Sequence, residues 1–186
     1  MTEEIVEDPV LRQRYVFRSA TDADGSPIVE LDMWVDQGGS VTPHIHPFME
    51  ERFTVLSGRP EFLSGRTWQP LTAGETTVVP PHTRHAFRNR GAETAHFRVE
   101  VRRPEGLQGF LEDVAALSRG GHLMRPGLPR TLTGLLGAAV IARHYRDTTV
   151  LLVPPLLVQK MLLDPLAGIG ARRGFEPGRF ADVLET

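Results

Sequence analysis

Two histidines one residue apart, His44 and His46, open the stretch HIHPFMEERF, and a carboxylate, Glu51, lies five positions past the second. A third histidine, His85, arrives in PPHTRHAFRN. In an extended strand alternate side chains share a face, so His44 and His46 point one way and Ile45 the other. Two imidazoles side by side in a largely apolar strand are poorly placed unless something uses them. Neutral imidazole nitrogen and carboxylate oxygen are common ligands for divalent transition metals. Holding one such ion is the chemistry these four side chains could do together. The chain has no cysteine, so the donors must be nitrogen and oxygen.

The elements that would bring them together are short strands. Glu51 opens Glu51-Arg52-Phe53-Thr54-Val55-Leu56, in which Glu51, Phe53 and Val55 share a face. Gly38, Gly39, Pro43 and Pro47 supply bends on either side of the histidine pair. Upstream, 12–18 reads as a strand, 21–27 as a turn, and 28–35 as a half-buried strand. Val29, Leu31, Met33 and Val35 fall on one face of it, with Glu30, Asp32 and Trp34 on the other. Downstream, 60–63, 76–79, 83–88 and 94–102 continue the pattern, the last with Ala95, Phe97, Val99 and Val101 on one side. Many short strands with regular turn signals predict an all-β barrel or jelly roll. Residues 1–9, with Glu3, Glu4, Glu7 and Asp8, read as a solvated, loose terminus.

With these residues in place, the segment from Gly38 resembles the first motif of the cupin superfamily. That motif is Gly, five residues, His-x-His, four residues, Glu, six residues, Gly, and it falls here on Gly38, His44, His46, Glu51 and Gly58. The second cupin motif matches at Gly74, Pro80, His85 and Asn89, with His82 standing where the family usually has glycine. The resemblance covers about residues 10–103. It implies a double-stranded β-helix, a mainly β fold, and a metal site formed by His44, His46, Glu51 and His85. It also implies barrels that pair through their sheets, hence a homodimer.

Composition changes at Pro104. Leu107, Phe110, Leu111, Val114, Ala115 and Leu117 recur at helical spacing, predicting a helix over 106–119. Residues 131–145 and 155–164 also read as helices, packed on the barrel or across a dimer interface. The expected organisation is a cupin barrel over 1–103 and a helical C-terminal extension over 104–186. The apolar run from Val150 to Val158 is broken by Pro154-Pro155 and is too short to span a bilayer, which needs about 20 apolar residues. Residues 104–186 carry nine basic and eight acidic side chains, a net of +1, so attraction to a membrane surface would be weak. A net charge of −2 over 186 residues gives no footprint for nucleic acid. The amino terminus has no basic-then-apolar segment, and the expectation is a cytoplasmic protein.

Three imidazoles and a carboxylate leave coordination positions open, which marks a catalytic rather than a structural centre. The ligand set does not choose among Zn, Fe, Mn, Ni, Co and Cu. Phe48, Phe53, Phe87 and Met33 are the candidate lining of a substrate pocket, suited to a flat or aromatic molecule rather than a sugar phosphate. The reading ranked first is an oxygenase acting on an enolisable or aromatic substrate, with Glu51 as metal ligand and general base. The alternatives are a redox-neutral cyclase or isomerase on a polyketide-like substrate, and a non-catalytic small-molecule binder. His82, His96, His122 and His144 read as ordinary structural or surface histidines.

Overall fold

The structure, a computed structural model, describes residues 5–152 and 155–184. Strands β1 (Ile5–Asp8), β2 (Gln13–Thr21), β3 (Pro27–Val35), β4 (His44–Ile45), β5 (Glu50–Ser57) and β6 (Glu61–Ser64) come first. They are followed by β7 (Thr67–Pro70), β8 (Thr76–Val79), β9 (His85–Arg88) and β10 (Ala95–Arg102). The rest of the chain holds α1 (Leu107–Arg119), the small hairpin β11 (Leu123–Met124) and β12 (Leu128–Pro129), α2 (Leu132–His144), β13 (Val150–Leu151), α3 (Leu156–Arg172) and α4 (Phe180–Leu184).

The strands form two antiparallel sheets, ordered β1-β2-β3-β10-β5-β8 and β13-β4-β9-β6-β7. This is the mainly β jelly-roll arrangement, with helices following it. Alternation in sequence sets what lies between the sheets. On β10, Ala95, Phe97, Val99 and Val101 are buried while the residues between them face outward. Leu31, Met33 and Val35 of β3 and Phe53 and Val55 of β5 join them, with Phe62 and Phe87 coming from the second sheet. Each such buried side chain contributes about 1.5–3 kcal/mol relative to exposure, so a one-residue slip of any central strand would be ruinous.

A second apolar cluster lies among the helices, built from Leu117, Leu136, Val140, Tyr145, Ala167, Phe175 and Phe180 among others. Asp113 on α1 ties it together. Its carboxylate accepts hydrogen bonds from Tyr145 Oη at 3.0 Å, Gly178 N at 2.7 Å and Phe180 N at 3.1 Å. Helix α3 passes close to α2 at Gly170, where a Cβ would come 2.9 Å from the Leu136 carbonyl.

Two local expectations are corrected. Residues 5–8 are the edge strand β1, not a loose terminus, because Ile5 to Asp8 pair with Val16 to Gln13. Asp8 is buried and accepts hydrogen bonds from Leu11 N and Ser118 Oγ, which gives the acidic terminus a partner; residues 1–4 lie outside the described part. Helix α3 does not stop at 164 but runs through Pro165 to Arg172, held by the packing of Ala167 and Gly170. The start of the apolar run after α2, for which the sequence suggested no element, is a short strand: Val150 and Leu151 pair with Ile45 and His44. Among the described residues no helix is long and apolar enough to cross a membrane.

Candidate metal centre

Both sheets contribute to the site. His44 on β4 lies directly across from His85 on β9, their Cα positions paired in the second sheet. His46 follows β4 immediately, and Glu51 comes from β5 in the first sheet, paired across to Val79. The strand parity that places Phe53 and Val55 in the core turns Glu51 inward with them. The imidazole centroids are 4.9 Å apart for His44 and His46, 4.2 Å for His44 and His85, and 4.9 Å for His46 and His85. One ring nitrogen from each of the three histidines lies within 4.8 Å of the others. Glu51 reaches two of them, Oε2 standing 2.9 Å from His85 Nε2 and Oε1 3.4 Å from His46 Nε2. His46, His85 and Glu51 are buried and His44 is half-buried, so the centre faces solvent on the His44 side.

The hydrogen bonds behind the rings decide which nitrogen is free. His44 Nδ1 bonds to the Thr42 carbonyl at 2.8 Å, His85 Nδ1 to the Thr83 carbonyl at 2.9 Å, and His46 Nδ1 to the Thr148 carbonyl at 2.6 Å. A carbonyl can only accept, so each Nδ1 carries the proton. In the neutral ring each Nε2 is then a bare lone pair. All three point at one place, and a carboxylate points there too. Glu51 Oε2 and His85 Nε2 are buried and make no hydrogen bond of sound geometry, despite their 2.9 Å separation. Two buried acceptors facing each other call for a cation between them: a proton or a metal ion. The donor set fits a divalent transition metal.

The electrostatics of the metal-free protein agree. Burial disfavours a charged His46, but the Glu51 carboxylate and the Thr148 carbonyl outweigh it and raise its pKa above the ordinary value. Burial likewise works against a charged Glu51, yet His46 and His85 hold its carboxyl well below the usual carboxylate range. Burial, with the neighbouring His85 and His46, pushes His44 down to about 3.

The two sequence motifs are sewn to one another. Gly38 N donates to the Asn89 carbonyl, Asn89 N donates to the Gly39 carbonyl, and His82 N donates to the His46 carbonyl. Asn89 is fully buried and its amide bridges the Val35 and Glu93 carbonyls, a structural role for the last motif residue. His82 adopts φ 61°, the left-handed conformation that explains why glycine suits this position. Its side chain is exposed and stays out of the site.

The four pocket candidates separate. Phe53 and Phe87 pack with Phe62 and Phe97 into a cluster of rings in the core, with centroids 5.1 Å apart for Phe53–Phe62 and for Phe87–Phe97. Met33 is buried in the same core, whereas Phe48, two residues past His46, is 53% exposed. Glu50 and Glu100 face Arg102 and Arg52 on the outer side, so neither is a second base. Sequence reasoning missed the carbonyls of Thr42, Thr83 and Thr148. The first two sit two residues before their histidine, so they are at least near it in sequence; Thr148 left no signal.

Comparison with known proteins matches residues 32–101 to the cupin domain family. The chain is 42% identical over 81 residues to a protein of Streptomyces cyaneus named polyketide synthase CurC, a match covering 42% of this chain and 52% of that one. The match thus spans about half the length of this curated relative. Among solved structures, KdgF from Halomonas sp. is 19% identical with a TM-score of 0.47, covering 56% of this chain and 90% of its own. An RmlC-like cupin from Shewanella frigidimarina is 20% identical with a TM-score of 0.45, covering 54% and 82%.

Proposed function

We propose, from the premise that residues 32–101 form a cupin domain, that this protein is a metal-dependent enzyme acting on a small enolisable or aromatic molecule. The observation that carries this reading is the convergence of three Nε2 lone pairs and the Glu51 carboxylate on one buried point. His44, His46, His85 and Glu51 would hold the ion. When bound, a divalent transition metal supplies a Lewis acid that lowers the pKa of a coordinated hydroxyl or enol. The protein's own residues do the rest. The carbonyl-anchored Nδ1 protons keep the three rings from turning. Glu51 would take a proton from a substrate hydroxyl, as general base. Phe48, Phe53, Phe87 and Met33 would supply the apolar surroundings, with Phe48 at the exposed rim as the one placed to meet a flat ring. Residues 1–103 would act as the catalytic unit and 104–186 as its helical extension. Leu157, Met161 and Leu162 stand more than half exposed on α3, and they support a homodimer in which a second copy covers them.

The first reading of the reaction is oxygenation. A second reading, redox-neutral cyclisation or isomerisation of a polyketide-type substrate, is favoured by the name carried by the Streptomyces relative. Oxygen uptake by Fe-, Mn-, Ni- and Zn-loaded protein with enolisable aromatic polyketides separates the two. Turnover that stops under anaerobic conditions supports the oxygenase; equal turnover with and without oxygen, and with zinc, supports the cyclase. No turnover by any loaded form, together with micromolar binding of the same molecules, would make the protein a binder.

A further inference from the structure

The three metal-site imidazoles are not anchored alike. His44 and His85 donate to carbonyls two residues back, in the segments that lead into their own strands. His46 donates instead to Thr148, 102 residues away, beyond two helices. Thr149 Oγ1 stands 3.4 Å from the same Nδ1. Immediately afterwards β13 pairs with β4, Val150 against Ile45 and Leu151 against His44. The segment that carries the acceptor thus also forms the edge of the strand that carries the ligands.

This segment is itself held on several sides. Thr148 is 5% exposed, its Oγ1 donates to the Glu105 carbonyl at 3.0 Å, and its N–H donates to the Tyr145 carbonyl at 2.9 Å. Gly106 is close enough that a Cβ there would come 2.9 Å from Thr148 Oγ1, so the absence of a side chain at 106 lets the turn seat. On the far side of β13, Gln159 of α3 donates through Nε2 to the Leu151 carbonyl at 2.7 Å. Tyr145 in turn is fixed by Asp113.

We propose that the C-terminal extension is a working part of the metal centre: the Thr148 carbonyl, held by Glu105 and by the Gln159–Leu151 bond, fixes the tautomer and orientation of His46. Thr148 and Gln159 are positioning residues, since neither touches the ion or substrate. The inference rests on the metal-centre reading given above. Partners that orient a metal-binding imidazole in this way are worth about 10–100-fold in metal affinity.

The test uses the full chain and zinc alone. Thr148→Val keeps the shape and the carbonyl but removes the hydroxyl that pins the turn. Gln159→Ala frees the outer edge of β13 from a point on another helix. Lys160→Ala, one residue on and exposed, is the control. Zinc affinity is read by competition with a chromophoric chelator, and the His46 Nδ1–H by nitrogen-resolved NMR, where a buried donor exchanges slowly with water. The expected result is zinc binding about tenfold weaker in both variants, an unchanged control, and faster exchange of the His46 Nδ1–H alone among the three. Circular dichroism identifies a variant that has not folded, and the other variant then decides. Affinities within twofold of the parent and an unaltered His46 Nδ1–H in folded protein would overturn the proposal. If the parent itself binds no zinc, the metal-centre reading falls, and the NMR arm on metal-free protein still decides whether Thr148 positions His46.

Discussion

Removal of the metal should change stability in a way that depends on pH with a sign the site dictates. Take protein stripped with a chelator and titrate it with a divalent ion at 100 times its dissociation constant. An ion that binds the folded state alone then stabilises by about 2.7 kcal/mol. For a chain of this size a kilocalorie moves the midpoint by about 2–4 °C, so Tm should rise by about 5–10 °C. In the metal-free protein His46 has its pKa raised above the ordinary value, against burial, by Glu51 and the Thr148 carbonyl. A raised pKa contributes stability that is fully present below about 6.5 and lost as pH climbs through the folded-state value. The metal requires the same ring neutral, so below that value a proton must be expelled before it binds. The increment in Tm at fixed metal concentration should therefore be smaller near pH 6 than near pH 8, with the metal-free baseline falling over the same interval. The assay is thermal unfolding at both pH values, with His46→Ala and His85→Ala alongside and His122→Ala as control. The two ligand variants should lose most of the increment and the control none. An increment that is the same at both pH values, or one that survives His46→Ala and His85→Ala, would refute the reasoning that Nε2 lone pairs and Glu51 compete for one cation.

Other substitutions test the scaffold. His82 is exposed at φ 61°, where a side chain costs about 1–2 kcal/mol, so His82→Gly should stabilise by about 0.5–1 kcal/mol after glycine's entropy is counted, while His82→Val destabilises; denaturant midpoints measure both. Gly170→Ala forces a Cβ to within 2.8 Å of Val140 Cγ2 and 2.9 Å of the Leu136 carbonyl and should cost about 1–3 kcal/mol. Gly168→Ala, in the same helix with nothing within 4 Å, should gain about 0.5–1 kcal/mol, and a destabilisation there would contradict the helix as built. Asp113→Ala leaves Tyr145 Oη and two backbone N–H groups without an acceptor, and should cost about 3 kcal/mol or more in urea unfolding, with the loss seen as faster hydrogen exchange in α4.

The β part of the fold was legible because each strand repeats its signal every second residue. Ala95, Phe97, Val99 and Val101 announce a buried face, and the same parity carries Glu51 inward beside Phe53. Boundaries failed where a distant partner decides the outcome. Ile5 to Asp8 look like a charged tail until β2 and Ser118 stand beside them. Pro165 reads as a helix end, yet the packing of Ala167 and Gly170 carries α3 past it. Val150 and Leu151 sit in an apolar run with no alternation, and only pairing with β4 makes them a strand.

The same division runs through the site. Side chains that would touch an ion come from a few residue types, here histidine and glutamate, so their identities are written in the chain. What orients them is backbone. A carbonyl is present at every residue, and nothing in the letters Thr148 or Thr42 marks one as an acceptor. For His44 and His85 the acceptor lies two residues back, just before the strand begins, so the contact is at least local in sequence. His46 is the exception, because β4 ends at Ile45 and its ring leans toward a segment from the far end of the chain. A fragment cut after residue 103 would keep all four candidate ligands and lose the Thr148 carbonyl to which His46 Nδ1 is bonded. Such a fragment should therefore retain His44 and His85 anchored and leave His46 free to turn, and for that reason the ligands alone do not define the boundary of the centre.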